Sequence, residues 1–197
     1  GSYDVFLVHT DANGDTLFTR AFGTSESESG LSVIQTADGG YAICGRQQTF
    51  PNGIPESDGL IIKTDGNGDM LWSYIYGDTM WEEFESIREL PNGHFAISGS
   101  TVSFGQGNYD ILLLLIDSAG VPLNAFAYGG QHADAGEGHE VDGELERAAA
   151  QGDGAADGDG HRDEGPHRGL EARADAFEDG GGGAGAGRLG DVLDRLG

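Results

Sequence analysis

The chain has 197 residues, 36 of them Gly, with 34 acids against 10 bases and a formal net charge of -24. Such an excess of negative charge repels nucleic-acid phosphates and anionic membrane surfaces, so neither is an expected partner. The longest apolar run, Ile111 to Ile116, is far short of a membrane span, and a single Cys excludes a disulfide framework and a Cys-based zinc site.

Residues 1–130 read as short strands punctuated by turns. Val5 to Val8 is an apolar run continuous enough to be a strand buried on both faces. Asp11-Ala-Asn-Gly14 is a tight turn, with Gly supplying a positive φ. A second strand follows over 16–22, closed by Gly23, and a polar loop over 24–30 leads to a third strand over 31–36. Asp38-Gly39-Gly40 makes the next hairpin turn, and a fourth strand spans 41–45. The plan returns at 60–64, 70–76, 84–89 and 94–99, and a final hairpin is expected from 111–116 and 121–128.

This recurrence is a repeat. Asp4-Val-Phe-Leu-Val-His-Thr-Asp11 aligns with Asp58-Gly-Leu-Ile-Ile-Lys-Thr-Asp65 and with Asp110-Ile-Leu-Leu-Leu-Leu-Ile-Asp117, at shifts of 54 and 52 residues. Gly14, Gly68 and Gly120 keep step, as do Gly23, Gly77 and Gly129. Four strands in about 50 residues is the size of one β-propeller blade. A solenoid coil is usually shorter, and a sandwich needs no such period. The expected fold is therefore all-β: a partial β-propeller of two four-stranded blades (1–53 and 54–106) and one further hairpin (107–130).

Beyond Gly130 the composition changes. Residues 1–130 carry 17 acids and 4 bases, residues 131–197 carry 17 acids and 6 bases, and the latter contain no Ser, Thr, Asn, Lys, Ile, Tyr, Trp, Cys or Met. Their apolar side chains are too sparse for a core, so a largely disordered acidic Gly/Ala-rich tail is expected, with short helices only at 141–151 and 189–196. The absent residue types are mostly those of A/T-rich codons, so a shifted reading frame is the competing explanation. The opening Gly1-Ser2, without Met or leader, reads as a mature product or a fragment.

Asp58-Gly-Leu-Ile-Ile-Lys-Thr-Asp65, Gly68-Asp-Met-Leu-Trp72, Tyr76-Gly77 and Pro91-Asn-Gly-His-Phe-Ala-Ile-Ser-Gly99 together resemble the SBBP-type β-propeller repeat family. The resemblance covers about residues 3–137. It implies a secreted or cell-surface protein of bacterial type, in arrays long enough to close a ring. The third unit departs from the pattern: Asn124 stands where Phe18 and Trp72 stand, and His139 falls where Val33 and Ile87 sit.

Two groups of residues are candidate sites. Asp11-Ala-Asn-Gly-Asp15 and Asp65-Gly-Asn-Gly-Asp69 place oxygens as the start of an EF-hand-type loop does, so Asp11, Asn13, Asp15, Asp65, Asn67 and Asp69 are candidate calcium ligands. The plainer reading, a hairpin turn, is preferred. Phe22 and Tyr76 occupy the positions where such a loop needs its closing Glu, and Asp117-Ser-Ala-Gly-Val121 loses two ligands yet keeps the turn. In the second group, Asp78, Glu82, Glu83 and Glu85 surround Trp81 and could bind a sugar or a cation. The plainer reading is a solvated loop with Trp81 folded onto the neighbouring blade. Cys44 aligns with Ser98 as a small core residue, His9 aligns with Lys63 and Leu115, and His94 is expected at the surface.

No Walker loop, G-x-S-x-G or H-E-x-x-H is present, and no catalytic residues or cofactor other than calcium are expected. The leading expectation is a non-catalytic repeat scaffold or binding fragment of an extracellular β-propeller protein. Its partners would be further blades of the same or another protein, or carbohydrate. The alternatives are a fragment of a propeller enzyme acting on extracellular polysaccharide, and a calcium-stabilised repeat protein.

Overall fold

A computed structural model describes residues 3–78, 80–105, 108–129, 171–173 and 178–179. Ten strands run through the repeat region: β1 (Val5–Thr10), β2 (Thr16–Gly23), β3 (Ser27–Gln35), β4 (Tyr41–Thr49), β5 (Glu56–Thr64), β6 (Met70–Gly77), β7 (Glu82–Glu89), β8 (Phe95–Thr101), β9 (Asp110–Ile116) and β10 (Pro122–Tyr128). Two short segments follow, β11 (Glu171–Arg173) and β12 (Glu178–Asp179). The architecture is all-β and antiparallel, and among the described residues no helix is long and apolar enough to cross a membrane.

The strands fall at the expected places, but the sheets are out of phase with the sequence units. Hydrogen bonding joins β3-β4-β5-β6 into one sheet and β7-β8-β9-β10 into the next, while β1 and β2 stand as a hairpin ahead of both. The lone hairpin is thus the first element, not the third unit. β11 adds to the β6 edge and β12 to the β2 edge. The rest of 131–197, with its two expected helices, lies outside the described residues. The phase follows from the connections. Short turns at Gly39 and Gly93 join strands within a sheet, whereas the links from β2 to β3 and from β6 to β7 carry the chain from one sheet to the next.

The three sheets stack face to face. Val5, Leu7 and Phe22 of the first pack on Tyr41, Ile43, Leu60, Ile62 and Ile75 of the second. From its opposite face, Ala42, Cys44, Ile61 and Tyr76 meet Phe84, Ile87, Phe95, Ile97, Leu112 and Leu114 of the third. Alternation along each strand sends successive side chains to opposite faces, so the continuous apolar run Leu60-Ile61-Ile62 at the centre of β5 supplies Leu60 and Ile62 to one cluster and Ile61 to the other. β1 differs from the sequence expectation: Val5 and Leu7 are buried, but Phe6 is 64% and Val8 46% exposed. Among the described residues no sheet covers that face of β1, whereas the equivalent Leu60, Ile62, Leu112 and Leu114 each lie between two sheets.

Strands β3 and β4 also run longer than the turn signals suggest. β3 continues back through Gly30 to Ser27 across a register shift, and β4 extends to Thr49, so that β4 and β5 pair over nine residues. Gly45 faces that irregularity: a Cβ there would stand 1.9 Å from the Ser29 carbonyl oxygen, and one at Gly99 would stand 1.9 Å from that of Glu83.

Candidate functional site

The corners that carry the chain between sheets are each organised by one buried carboxylate. At the first corner, Glu28 accepts hydrogen bonds from the Thr24 backbone N–H (3.2 Å), the Thr24 hydroxyl and Gln47 Nε2 (3.0 Å). At the second, Glu82 accepts from the Asp78 N–H (3.1 Å), the Thr101 hydroxyl (2.8 Å) and the Ser103 N–H (3.3 Å). Both side chains are buried. The partners correspond position for position across the 54-residue shift: Thr24 with Asp78, and Gln47 with Thr101. A buried carboxylate is tolerable only with such donors, so each Glu ties a corner to the end of the neighbouring inner strand.

This geometry distributes the acidic loop differently from its sequence reading. Glu82, one of the ligand candidates, is turned into the protein and its oxygens face donors of its own corner. Glu83 forms an ion pair with Arg46 of β4 at 2.7 Å, and the Arg46 guanidinium lies 5.5 Å from the centre of the Trp81 ring. Trp81 is half-buried and pairs through its backbone with Ser57. Burial raises the Glu85 carboxyl above the usual carboxylate range, with a smaller contribution from the Glu83 charge. Asp78 remains exposed. The five residues therefore do not converge on one open pocket, and Trp81 and Glu83 serve as contacts between the second and third sheets.

The candidate calcium turns are closed by their own first residue. Asp11 Oδ1 accepts from the Asn13 and Asp15 N–H groups, both at 2.9 Å, and Asp65 Oδ1 accepts from Asn67 and Asp69 at 2.8 and 2.9 Å. Asp117 does the same with the Ala119 and Val121 N–H groups. These backbone donors, chiefly the N–H of Asp15 and of Asp69, hold the Asp11 and Asp65 carboxyls below the ordinary range. Asp69 is also taken up by Arg20 at 2.9 Å, across the first and second sheets. Asn13, Asp15 and Asn67 are exposed. Among the described residues no group of three or more His, Cys, Asp or Glu side chains is placed to hold a metal ion.

A buried cation was not legible in the sequence. Lys63 Nζ donates to both Asp38 oxygens (3.1 and 2.9 Å) and to the Thr64 carbonyl (2.8 Å). A Cβ on Gly40 would stand 2.1 Å from that carbonyl oxygen and 2.8 Å from Nζ, so this position stays Gly. At the equivalent place in the third sheet Leu115 replaces Lys63, and His94 replaces Gly40. His94 is half-buried rather than exposed, with Nδ1 3.2 Å from Asn92 Nδ2. His9 sits between the rings of Phe18 and Tyr41, at 5.0 and 5.7 Å. Cys44 lies within the core, where burial pushes its thiol pKa far up, so it is no nucleophile at neutral pH.

No protein-family model matches the chain. A curated relative is the regulatory protein FlaEY of Caulobacter vibrioides, 28% identical over 114 residues, covering 52% of this chain. The chain spans only 12% of that relative's length.

Proposed function

We propose that the chain is an arc of a β-propeller, working as a non-catalytic repeat scaffold in a secreted or cell-surface protein. The observation that supports this most is the phase of the sheets. Each corner drops the chain from the last strand of one sheet to the first strand of the next, so β3 and β7 occupy the same edge of successive sheets. Those two strands are in contact, and sheets fanned about such a shared edge make blades around an axis. Assignment to the outside of the cell rests on the likeness to SBBP-type repeats. The match to 12% of FlaEY fits a module within a longer polypeptide. Ligand contact, where it occurs, falls to the corner residues nearest solvent, Asp78 and the edge of Trp81. Unlike the carboxylates of a glycosidase pair, Glu82 and Glu83 are each engaged by the protein itself.

Tandem repetition of the 27–77 unit tests this reading. Chains of increasing copy number, imaged by electron microscopy, are expected to reach a closed annular particle at one copy number. A rod that lengthens with every added copy would refute the propeller.

A further inference from the structure

Among the described residues the first sheet lacks a hairpin that the other two possess. In the second sheet, β5 is flanked by β4 and β6, and in the third, β9 is flanked by β8 and β10. β1 is their equivalent by sequence, yet among the described residues its only strand partner is β2. The side chains beside this edge carry the same asymmetry. Val33 of β3 is 53% exposed, whereas its equivalent Ile87 of β7 is 3% exposed. Ile87 belongs to the cluster that also holds Ala42 and Cys44 of β4, with Ile34 of β3 packed against it. A cleft of about 360 Å³ lies where the corresponding hairpin of the first sheet would sit, bordered by residues 3–7 of the β1 segment, 28–33 of β3, and Ile43.

We infer that this cleft and the β1 edge are an acceptor site for one β-hairpin of the same repeat type, supplied in cis ahead of β1. The inference rests on reading the sheets as successive repeats. The occupant is specified by the two copies already in the molecule. Its second strand pairs antiparallel with β1 in the register that β4 uses on β5, where Tyr41 faces Thr64, Ile43 faces Ile62 and Gly45 faces Leu60. Shifted by 54 residues, those partners become Thr10, Val8 and Phe6. The third sheet repeats the rule, with Phe95 facing Ile116, Ile97 facing Leu114 and Gly99 facing Leu112. A Gly is therefore required opposite Phe6, and small apolar residues at the Ala42 and Cys44 positions would cover Val33. The surface is continuous with an existing interface: Val5 and Leu7 are already buried against the second sheet, and the cleft extends that contact inward. Main-chain pairing would supply affinity and the alternate side chains specificity.

The test grafts residues 27–55 directly ahead of Ser2 in the full chain, so that the natural β4-to-β5 link becomes the link to β1. The graft is expected to raise the melting temperature by about 5 °C or more. It should also slow amide exchange over residues 5–10. Val33→Glu in the host sheet leaves the ungrafted chain folded, because that side chain is exposed, and is expected to abolish the rise. An unchanged melting temperature, with residues 5–10 exchanging as before, would overturn the inference. So would a concentration-dependent dimer of the ungrafted chain that already protects residues 5–10, since a second copy would then be the occupant. Graft stabilisation without ring closure of the tandem chains would strike the propeller and spare this site; the reverse result would strike this site alone.

Discussion

Phe84 and Gly59 form a size-matched pair across the second and third sheets, and a double-mutant cycle on them measures whether those sheets share one core. The Phe84 ring is fully buried and lies over the β5 backbone: a Cβ on Gly59 would stand 2.4, 2.5 and 2.7 Å from three of its ring carbons. Phe84→Ala removes the ring and leaves a cavity beside Tyr76, whose ring centre is 5.8 Å away, at an expected cost of about 3–5 kcal/mol. Gly59→Ala alone forces the ring or the strand to move, costing about 1–3 kcal/mol. In the Phe84→Ala background the new methyl enters the vacated space, so the second substitution should be neutral or stabilising. The expected coupling is about 1–3 kcal/mol, within the range for residues in direct contact. Urea unfolding, followed by circular dichroism and Trp fluorescence, reads all four proteins. Additive costs, or a Phe84→Ala cost below about 1 kcal/mol, would mean that the sheets do not pack as described.

Three other outcomes follow from the geometry. The Asp38 carboxyl is held at a pKa of about 2 by the Thr36 hydroxyl and Lys63. Its contribution to stability is present above the unfolded carboxylate value near 4 and is lost as pH falls from about 4 to about 2. Because the Asp38 side chain is 58% exposed, Asp38→Asn is expected to cost only about 1 kcal/mol at neutral pH and nothing near pH 2, as read from urea midpoints. Glu82→Ala strands the Thr101 hydroxyl and the Ser103 and Asp78 N–H groups, so about 2 kcal/mol or more should be lost and amide exchange at 78 and 103 should quicken; unchanged exchange would refute the corner role. The Glu85 carboxyl is raised by burial, so the folded state binds its proton more readily than the unfolded chain does. Glu85→Gln should therefore raise the urea midpoint at neutral pH and lose that advantage in acid, and a loss of stability at neutral pH would contradict it.

Much of the local structure was legible in residues 1–130. The 54- and 52-residue shifts, the Asp-x-x-Gly turns and the apolar runs mark ten strands, because turn chemistry and strand alternation act over a few neighbouring residues. The Asp11, Asp65 and Asp117 turns were readable for the same reason: each acid bonds N–H groups two and four residues on. A repeat, however, has no intrinsic starting point. Only hydrogen bonding between strands decided that β3–β6 and β7–β10 are sheets and that the β1–β2 hairpin belongs to neither. Burial also depends on what stacks above a face, so Val5-Phe-Leu-Val8 looks as fully buried as Leu60-Ile-Ile62 in sequence and is not in the fold. The same holds for the acids of the 78–85 loop. Their spacing suggested a cluster, but Thr101, Ser103 and Arg46 come from distant strands and segments and turn Glu82 and Glu83 to separate structural tasks. Contacts within a turn are set by the chain's own neighbours; phase, coverage and the partner of a charge are set by residues far along the chain, which only the packed sheets bring together.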